Sequence, residues 1–560
     1  MEKEMAEIRH IYVAAESLLS ALGDADETVS AIEAGISGLR YSPQYEVTAG
    51  LIDPLHRMAQ EVEGCTRFES LLVRQIGQVC GKSGISLSDP STGLVISTTK
   101  GNVDVLADKG LADEAFLYSS ASRIASLLEA VNSPVVVSNA CISGVSAFAV
   151  ARNLIQDGRY DNVIVAGCDV LSEFIVQGFL SFKSISSLPC RPYDEERDGL
   201  TLGEACAAVA LTVDKSKAGS PCVELCGAAV TNDANHISGP SRTGDGLFYA
   251  MDSAMSQARV SSSEVSFVNT HGTATRYNDE MESKAVALAS MSETPLNAVK
   301  GYIGHTLGAS GVVETVLCIR ELRGNVLYAS KGFSKPGTPM PVAISAQKLT
   351  DREMDCCVKT ASGFGGCNAA IVLRKGESFS PVQFVRERPF RQSAEYVLPH
   401  SEEPFAEFIR KEFKALGVSD MKFYKMSDLC KAVYVAVENL LSGESSFNET
   451  EPLRRAIVLA NKASSLEADM QHQTIVNQHN PEGASPAVFV YTLPNVAAGE
   501  MCIRHKIKGE NVFFIEDAQS ALAEEYAGYL IASGQADTVI CGWCEKLGEN
   551  WDVKLKLLEY

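Results

Sequence analysis

Three residues in small-residue settings have the types and spacing for nucleophilic chemistry: Cys141, His271 and His305. Cys141 lies in VVVSNACISGVS, where the β-branched run Val135–Val137 leads through Asn139 and Ala140 into the small residues Ile142 to Ala147. This pattern predicts a buried strand, a tight turn and an amphipathic helix, with the sulfur beside the helix N-terminus. Free N–H groups and partial positive charge there stabilise a thiolate and lower its pKa. One cysteine among 16, taken alone, reads more readily as a buried structural thiol. His271 stands in VNTHGTATRYND after a strand-like run, and His305 in KGYIGHTLGASG before a second helix opening. Glycine beside a histidine lets backbone or substrate approach closely. The turn SGFGGCNAA (362–370) could turn backbone N–H groups toward an oxyanion. A phosphate cradle is the competing reading, but the P-loop lysine and Ser/Thr are absent.

These residues need a scaffold, and 560 of them exceed one ordinary core. From residue 1 to about 375, strand-like runs (GLVIS, VVVS, VIVAGCD, AAVALTV, SFVNTHG, CCVKTASGFGG) alternate with helical stretches such as 114–131 and 143–157. The alternation predicts layered α/β architecture with mostly parallel pairing. Periodicity fades over 376–402, the expected linker to a unit over 403–560. That unit repeats the first: SGQADTVICGWCE (533–545) overlies DGRYDNVIVAGCD (157–169) at an offset of 376, and IVLANKASSLEAD, from Ile457, resembles LVISTTKGNVD (94–104). The shared order points to duplication. Carried to Cys141, the offset lands on Asp517, so the copy has no thiol. Cys541-Gly-Trp-Cys544 has redox spacing, but the alignment puts it at a strand end, and a zinc site would lack a second ligand pair.

A net charge of −21 argues against a nucleic-acid or anionic-membrane surface. No apolar run reaches the roughly 18 residues of a membrane span. The N-terminal MEKEMAEIRH has no apolar signal core. Sixteen cysteines without a regular framework fit reduced thiols, so a cytoplasmic location is expected.

Together AGISG (34–38), NACISG around Cys141, CRPYDEERDGLTLGEA (190–205), HGTAT..ND at His271, K....GHT.GASG at Lys300 and His305, and GFGGCNA resemble the β-ketoacyl–carrier-protein synthases of the thiolase-like superfamily. The resemblance covers 1–375 and implies a layered α-β-α-β-α fold in two pseudo-symmetric halves, about 1–222 and 223–375. It departs from the family at the first strand (IYVAAESLLSALG), at Ala274, at Leu200 after RDG and at Ser362, which bears on substrate shape.

By resemblance, Cys141 is the nucleophile that takes an acyl group from a carrier protein. His271 and His305 donate to the malonyl thioester oxygen during decarboxylation. Backbone N–H groups of Cys141 and Phe364 form the oxyanion hole, and Phe364 gates the acyl pocket. Lys300 orients the histidine region with Glu314 as its partner, and Ile142, Leu200, Thr273, Thr275 and Ser362 shape the pocket. No cofactor or metal is implied; a phosphopantetheine thioester arrives on the acyl carrier protein. Degradative thiolases would use a second cysteine, and Cys367 lies near that position, but the histidine pair is the mark of decarboxylating synthases.

Residues 403–560, including SPAVFVYTLPNVAAGEMCIRHKIKG (485–509), resemble only the N-terminal half of such a synthase, as in chain-length factors of type II polyketide and aryl polyene systems. Half a thiolase fold leaves an apolar face to cover, so the tail is expected to act as a built-in pseudo-dimer partner that helps shape the acyl tunnel. Partners so implied are the acyl carrier protein, a homodimer or this pseudo-dimer, and a further synthase subunit. Arg57, Arg67 and Arg197 are candidate carrier contacts. The implied reaction is decarboxylative Claisen condensation in a type II polyketide or aryl polyene pathway. The alternatives are a fatty-acid elongation synthase and a non-catalytic assembly subunit.

Overall fold

The computed structural model describes residues 5–376, 383–385, 388–478 and 484–560. One arrangement of five strands recurs three times. In the first copy the spatial order is Val135–Val137, Thr92–Ser97, Asn162–Asp169, Ala205–Thr212 and Tyr12–Ser20. In the second it is Pro295–Asn297, Phe267–Asn269, Cys356–Gly363, Cys367–Lys375 and Val223–Asn232. In the third it is Asn511–Ile515, Arg455–Asn461, Thr538–Leu547, Asn550–Glu559 and Arg391–Val397. In each copy the first three strands are parallel and the last two pair antiparallel. The sheets are therefore more mixed than the alternation suggests. Antiparallel neighbours can be joined by short turns, as at Phe364–Gly366, while the parallel ones need crossover helices.

The third copy begins inside the stretch expected as a linker. Residues 377–382 and 386–387 of that stretch lie outside the described residues, but Arg391–Val397 is a strand paired with Asn550–Glu559. It escaped notice because it is a half-exposed edge strand whose register shifts between Gln392 and Ala394, which breaks the period-2 pattern.

Two helices occupy the middle layer. Every residue of Ser143–Gln156 is buried, as are most of Ser310–Gly324. They touch at their N-terminal ends, where a Cβ on Gly144 would sit 2.7 Å from the Val312 nitrogen and one on Gly311 2.3 Å from that of Val145. Only glycine permits this contact. It brings together the turns that precede the helices, and these turns carry Cys141 and His305.

Val136 and Val137 pair antiparallel with Ile515 and Phe514, so the first and third sheets continue edge to edge within one chain. Behind this seam Asn153 donates to the Tyr526 hydroxyl at 2.8 Å, and that hydroxyl donates to Glu510 at 2.7 Å. Asp517 follows Asn511–Ile515 but is partly exposed, 3.6 Å from Lys462. Cys541 and Cys544, three residues apart on one strand, face opposite sides of the sheet and belong to different cores. All 16 thiols are free.

The seam also holds an enclosed ion pair. Lys100 Nζ meets Asp469 Oδ1 at 2.7 Å and Ser465 Oγ at 3.2 Å and donates to the Thr492 carbonyl, with both charged side chains almost wholly enclosed. Asp469→Asn should strand the ammonium and destabilise the chain by about 3–5 kcal/mol, whereas Lys100→Met with Asp469→Leu should recover most of the loss. Denaturation midpoints of the three variants check this. A double variant as weak as the single one would contradict it.

Candidate active site

Immediately before each of these helices lies a single 3₁₀ turn, Ala140–Ile142 after a strand and Leu307–Ala309 after the short helix Lys300–Ile303, and each opens with a non-glycine residue at positive φ (Ala140 +49°, Leu307 +54°). Such conformations persist only where the surrounding packing over-determines them. Asp169 supplies part of that support, accepting from Thr98 Oγ1, Thr99 N and, at 2.7 Å, Gly308 N.

Cys141 Sγ lies 3.1 Å from His305 Nε2, and His305 Nδ1 lies 3.1 Å from Ser310 Oγ. The His271 ring stands 5.1 Å from that of His305 at 89°. Lys300 Nζ lies 3.4 Å from His271 Nδ1 and donates to the His271 carbonyl at 2.6 Å. An ammonium beside Nδ1 makes that atom the acceptor, so His271 carries its proton on Nε2. Glu314 accepts from Lys300 at 2.5 Å, and Glu282 accepts from the backbone N–H groups of His271 and Gly272 at 2.8 and 2.7 Å.

Burial pushes the Cys141 thiol up to about 12, against the pull of Lys300 and of the N–H groups of Cys141 and Phe364 that donate to the sulfur. The expected lowering at a helix N-terminus is thus outweighed, because the sulfur is enclosed between two packed turns. Burial, and next the Lys300 charge, hold both His271 and His305 well below the usual imidazole range. The resting site is a neutral thiol beside two neutral imidazoles. Cys141, His271 and His305 place their sulfur and ring nitrogens within 4.8 Å of one another. A Cys–His–His set also suits soft metals, but the buried ammonium groups of Lys300 and Lys359 next to the imidazoles oppose a further cation.

The three side chains face a cavity of about 320 Å³ whose lining includes Leu200, Thr273, Thr275, Ser362 and Phe364. Ile142 does not line it and is fully buried in the core behind Cys141. Phe364 stacks on Phe182 (5.2 Å, 27°) and on Phe179 (6.2 Å, 24°). Phe489, from the third copy, meets Phe179 edge-on at 5.4 Å. Gly178 makes room for it, since a Cβ there would be 2.2 Å from the Phe489 ring. Asn495, also from the third copy, donates to the Phe364 carbonyl at 2.9 Å, and Gly499 packs on Gly365. Cys367 donates to the Phe364 carbonyl at 3.1 Å and pins the glycine turn.

Arg197 is buried against the carbonyls of Asp194 and Gly337, and Arg67 is paired with Glu204. Arg57 is half-buried on the helix Pro54–Gln60.

Residues 55–216 match the beta-ketoacyl synthase N-terminal domain, and residues 222–334 match its C-terminal domain. Residues 55–334 belong to the β-ketoacyl synthase family. A 3-oxoacyl-[acyl-carrier-protein] synthase 2 of Rhizobium meliloti (strain 1021) is 29% identical over 253 residues, which cover 43% of this chain and 60% of the relative. The chain spans about three-fifths of the length of several curated synthases that it matches. A solved ketosynthase (ApeO) in complex with its chain length factor (ApeC) from Xenorhabdus doucetiae aligns with a TM-score of 0.58 at 25% identity, over 66% of this chain and 98% of that one. The PfaC keto synthase–chain length factor aligns with a TM-score of 0.79 at 14% identity, over 98% of this chain and 78% of that one, so the likeness in fold runs through the third copy. No described helix is long and apolar enough to cross a membrane.

Sequence reasoning missed Glu282, Asp169, Lys359, Asn495 and Phe489. Glu282 follows the HGTAT..ND stretch by one helical turn, a readable cue. Phe489 and Asn495 reach the site only through the seam between copies, which has no local signature.

Proposed function

We propose that the chain condenses an acyl group held on Cys141 with malonyl carrier protein, releasing CO₂ and returning a 3-oxoacyl carrier. The observation that carries this reading is the convergence of Sγ, both imidazoles and two backbone N–H groups on one end of an apolar cavity.

In loading, Sγ attacks the acyl thioester while its proton passes to His305 Nε2, 3.1 Å away, and then to the departing carrier thiolate. The N–H groups of Cys141 and Phe364 hold the tetrahedral oxyanion. In condensation, malonyl carrier enters, and Nε2–H of His271 and of His305 donate to its thioester oxygen, His305 having exchanged its ring proton from Nδ1 to Nε2 through solvent after loading, with Ser310 Oγ then donating to Nδ1. Loss of CO₂ leaves an enolate there, and its carbon attacks the acyl–Cys141 carbonyl. Cys141 leaves as a thiolate and takes up one proton from solvent, which balances the carboxylate lost as CO₂. Thr273 and Thr275, hydroxyls 2.9 Å apart, are placed to hold the phosphopantetheine amides.

The near-parallel rings of Phe179, Phe364 and Phe182 favour planar, conjugated acyl chains, in keeping with a type II polyketide or aryl polyene role. The third copy serves as chain-length determinant by seating Phe489 against that wall. Phe489→Ala should shift products toward longer chains by at least one two-carbon extension, read by mass spectrometry of hydrolysed products. An unchanged length distribution in a folded variant would assign Phe489 to packing alone. The reading as a whole is tested by supplying acyl and malonyl carriers and following formation of the 3-oxoacyl carrier.

A further inference from the structure

Lys359 lies on the strand Cys356–Gly363, directly behind the histidines, and is wholly buried. Its Nζ meets Glu314 Oε2 at 2.7 Å and donates to the Thr360 carbonyl at 2.5 Å. Lys300 holds the other oxygen, Oε1, of the same carboxylate. Glu314 is thus clamped between two ammonium groups, and Glu282, on the helix Arg276–Leu288, is a second buried carboxylate in the field of both lysines. Burying an ammonium is costly unless its partners are fixed, and Lys300 reaches only Oε1, so Lys359 is the charge that faces Oε2.

We infer that Lys359 is a positioning residue for condensation: it locks Glu314 from the side opposite Lys300 and so fixes the lysine that orients His271. The inference rests on the condensation reading. The charged and titratable groups around the two imidazoles are Lys300 from the helix Lys300–Ile303, Glu314 and Cys318 from the helix Ser310–Gly324, Glu282, Lys359 and Cys141. Lys359 adds to the positive field that keeps both histidines neutral. Removing it lets the imidazoles gain protons at higher pH, where they lose an unprotonated Nδ1 acceptor and their tautomeric definition.

The test compares Lys359→Met, Lys359→Gln and the parent full-length chain. Release of CO₂ from malonyl carrier and acylation of Cys141 are measured separately across the pH range in which imidazole titrates. Lys359→Gln keeps a polar N–H group on the strand without the charge. Decarboxylation is expected to fall about 10- to 100-fold in the Met variant with acylation of Cys141 changed far less. The acidic limb of the decarboxylation profile should move toward neutral by about one pH unit in both variants. An unmoved limb in folded Lys359→Gln overturns the inference. So does an equal loss of both half-reactions, or a failure of both variants to fold, since either assigns Lys359 to stability. If the parent acylates Cys141 but never decarboxylates malonyl carrier, the condensation reading itself falls.

Discussion

Cys141→Ala is expected to abolish condensation, with a loss of at least about 10⁴-fold, while the same variant goes on releasing CO₂ from malonyl carrier. The split follows from the geometry. In the proposed reaction Sγ is the acyl acceptor, and of the other 15 cysteines Cys367 alone lines the cavity, its thiol turned to the Phe364 carbonyl. Of the two groups proposed to face a malonyl thioester, His271 is held by Lys300, and His305, whose Nε2 meets the sulfur, is also held at Nδ1 by Ser310. Alanine removes the thiol without disturbing the strained Ala140 or the Gly144–Gly311 contact that seat the turn. Radiolabelled CO₂ release and product formation, measured on one preparation, check both halves.

His271→Ala should produce the complementary loss. Decarboxylation should fall by about 10²- to 10³-fold, the usual cost of removing one donor to a developing oxyanion, while acyl loading of Cys141 persists. His271 does not contact the sulfur, whereas His305 does, so His305→Ala should impair both half-reactions. Equal behaviour of the two variants would contradict the assignment of proton transfer to His305. Neutrality of both imidazoles also predicts an acid-side loss. Burial and Lys300 hold both groups low, so each imidazole stays neutral as pH falls through the ordinary imidazole value, and only below it does protonation remove the acceptor nitrogen that His271 turns to Lys300 and that His305 needs as a base.

Much of this site was legible in the chain because its parts are short and local. Strand Val135–Val137, the turn at Cys141 and the helix from Ser143 are written in a β-branched run followed by small residues. The glycines around His305 mark the crossing of two helices. Lys359 was hidden because a lysine in CCVKTAS reads as the solvent side of a strand, and only the facing Glu314 explains its burial. The pKa of Cys141 was read from the helix terminus alone, without the packing that encloses the sulfur. The edge strand Arg391–Val397 was lost to its exposure, so the repeated unit was expected to begin too late.

The most direct measurement is the intact mass of the full-length chain after exposure to acyl-loaded carriers, saturated, polyenoic and aryl-primed in turn, followed by malonyl carrier. The expected result is one acyl adduct on Cys141, absent from Cys141→Ala, that malonyl carrier discharges as a 3-oxoacyl carrier two carbons longer. An adduct that survives malonyl carrier, or one that forms equally on Cys141→Ala, would contradict Cys141 as the condensing nucleophile.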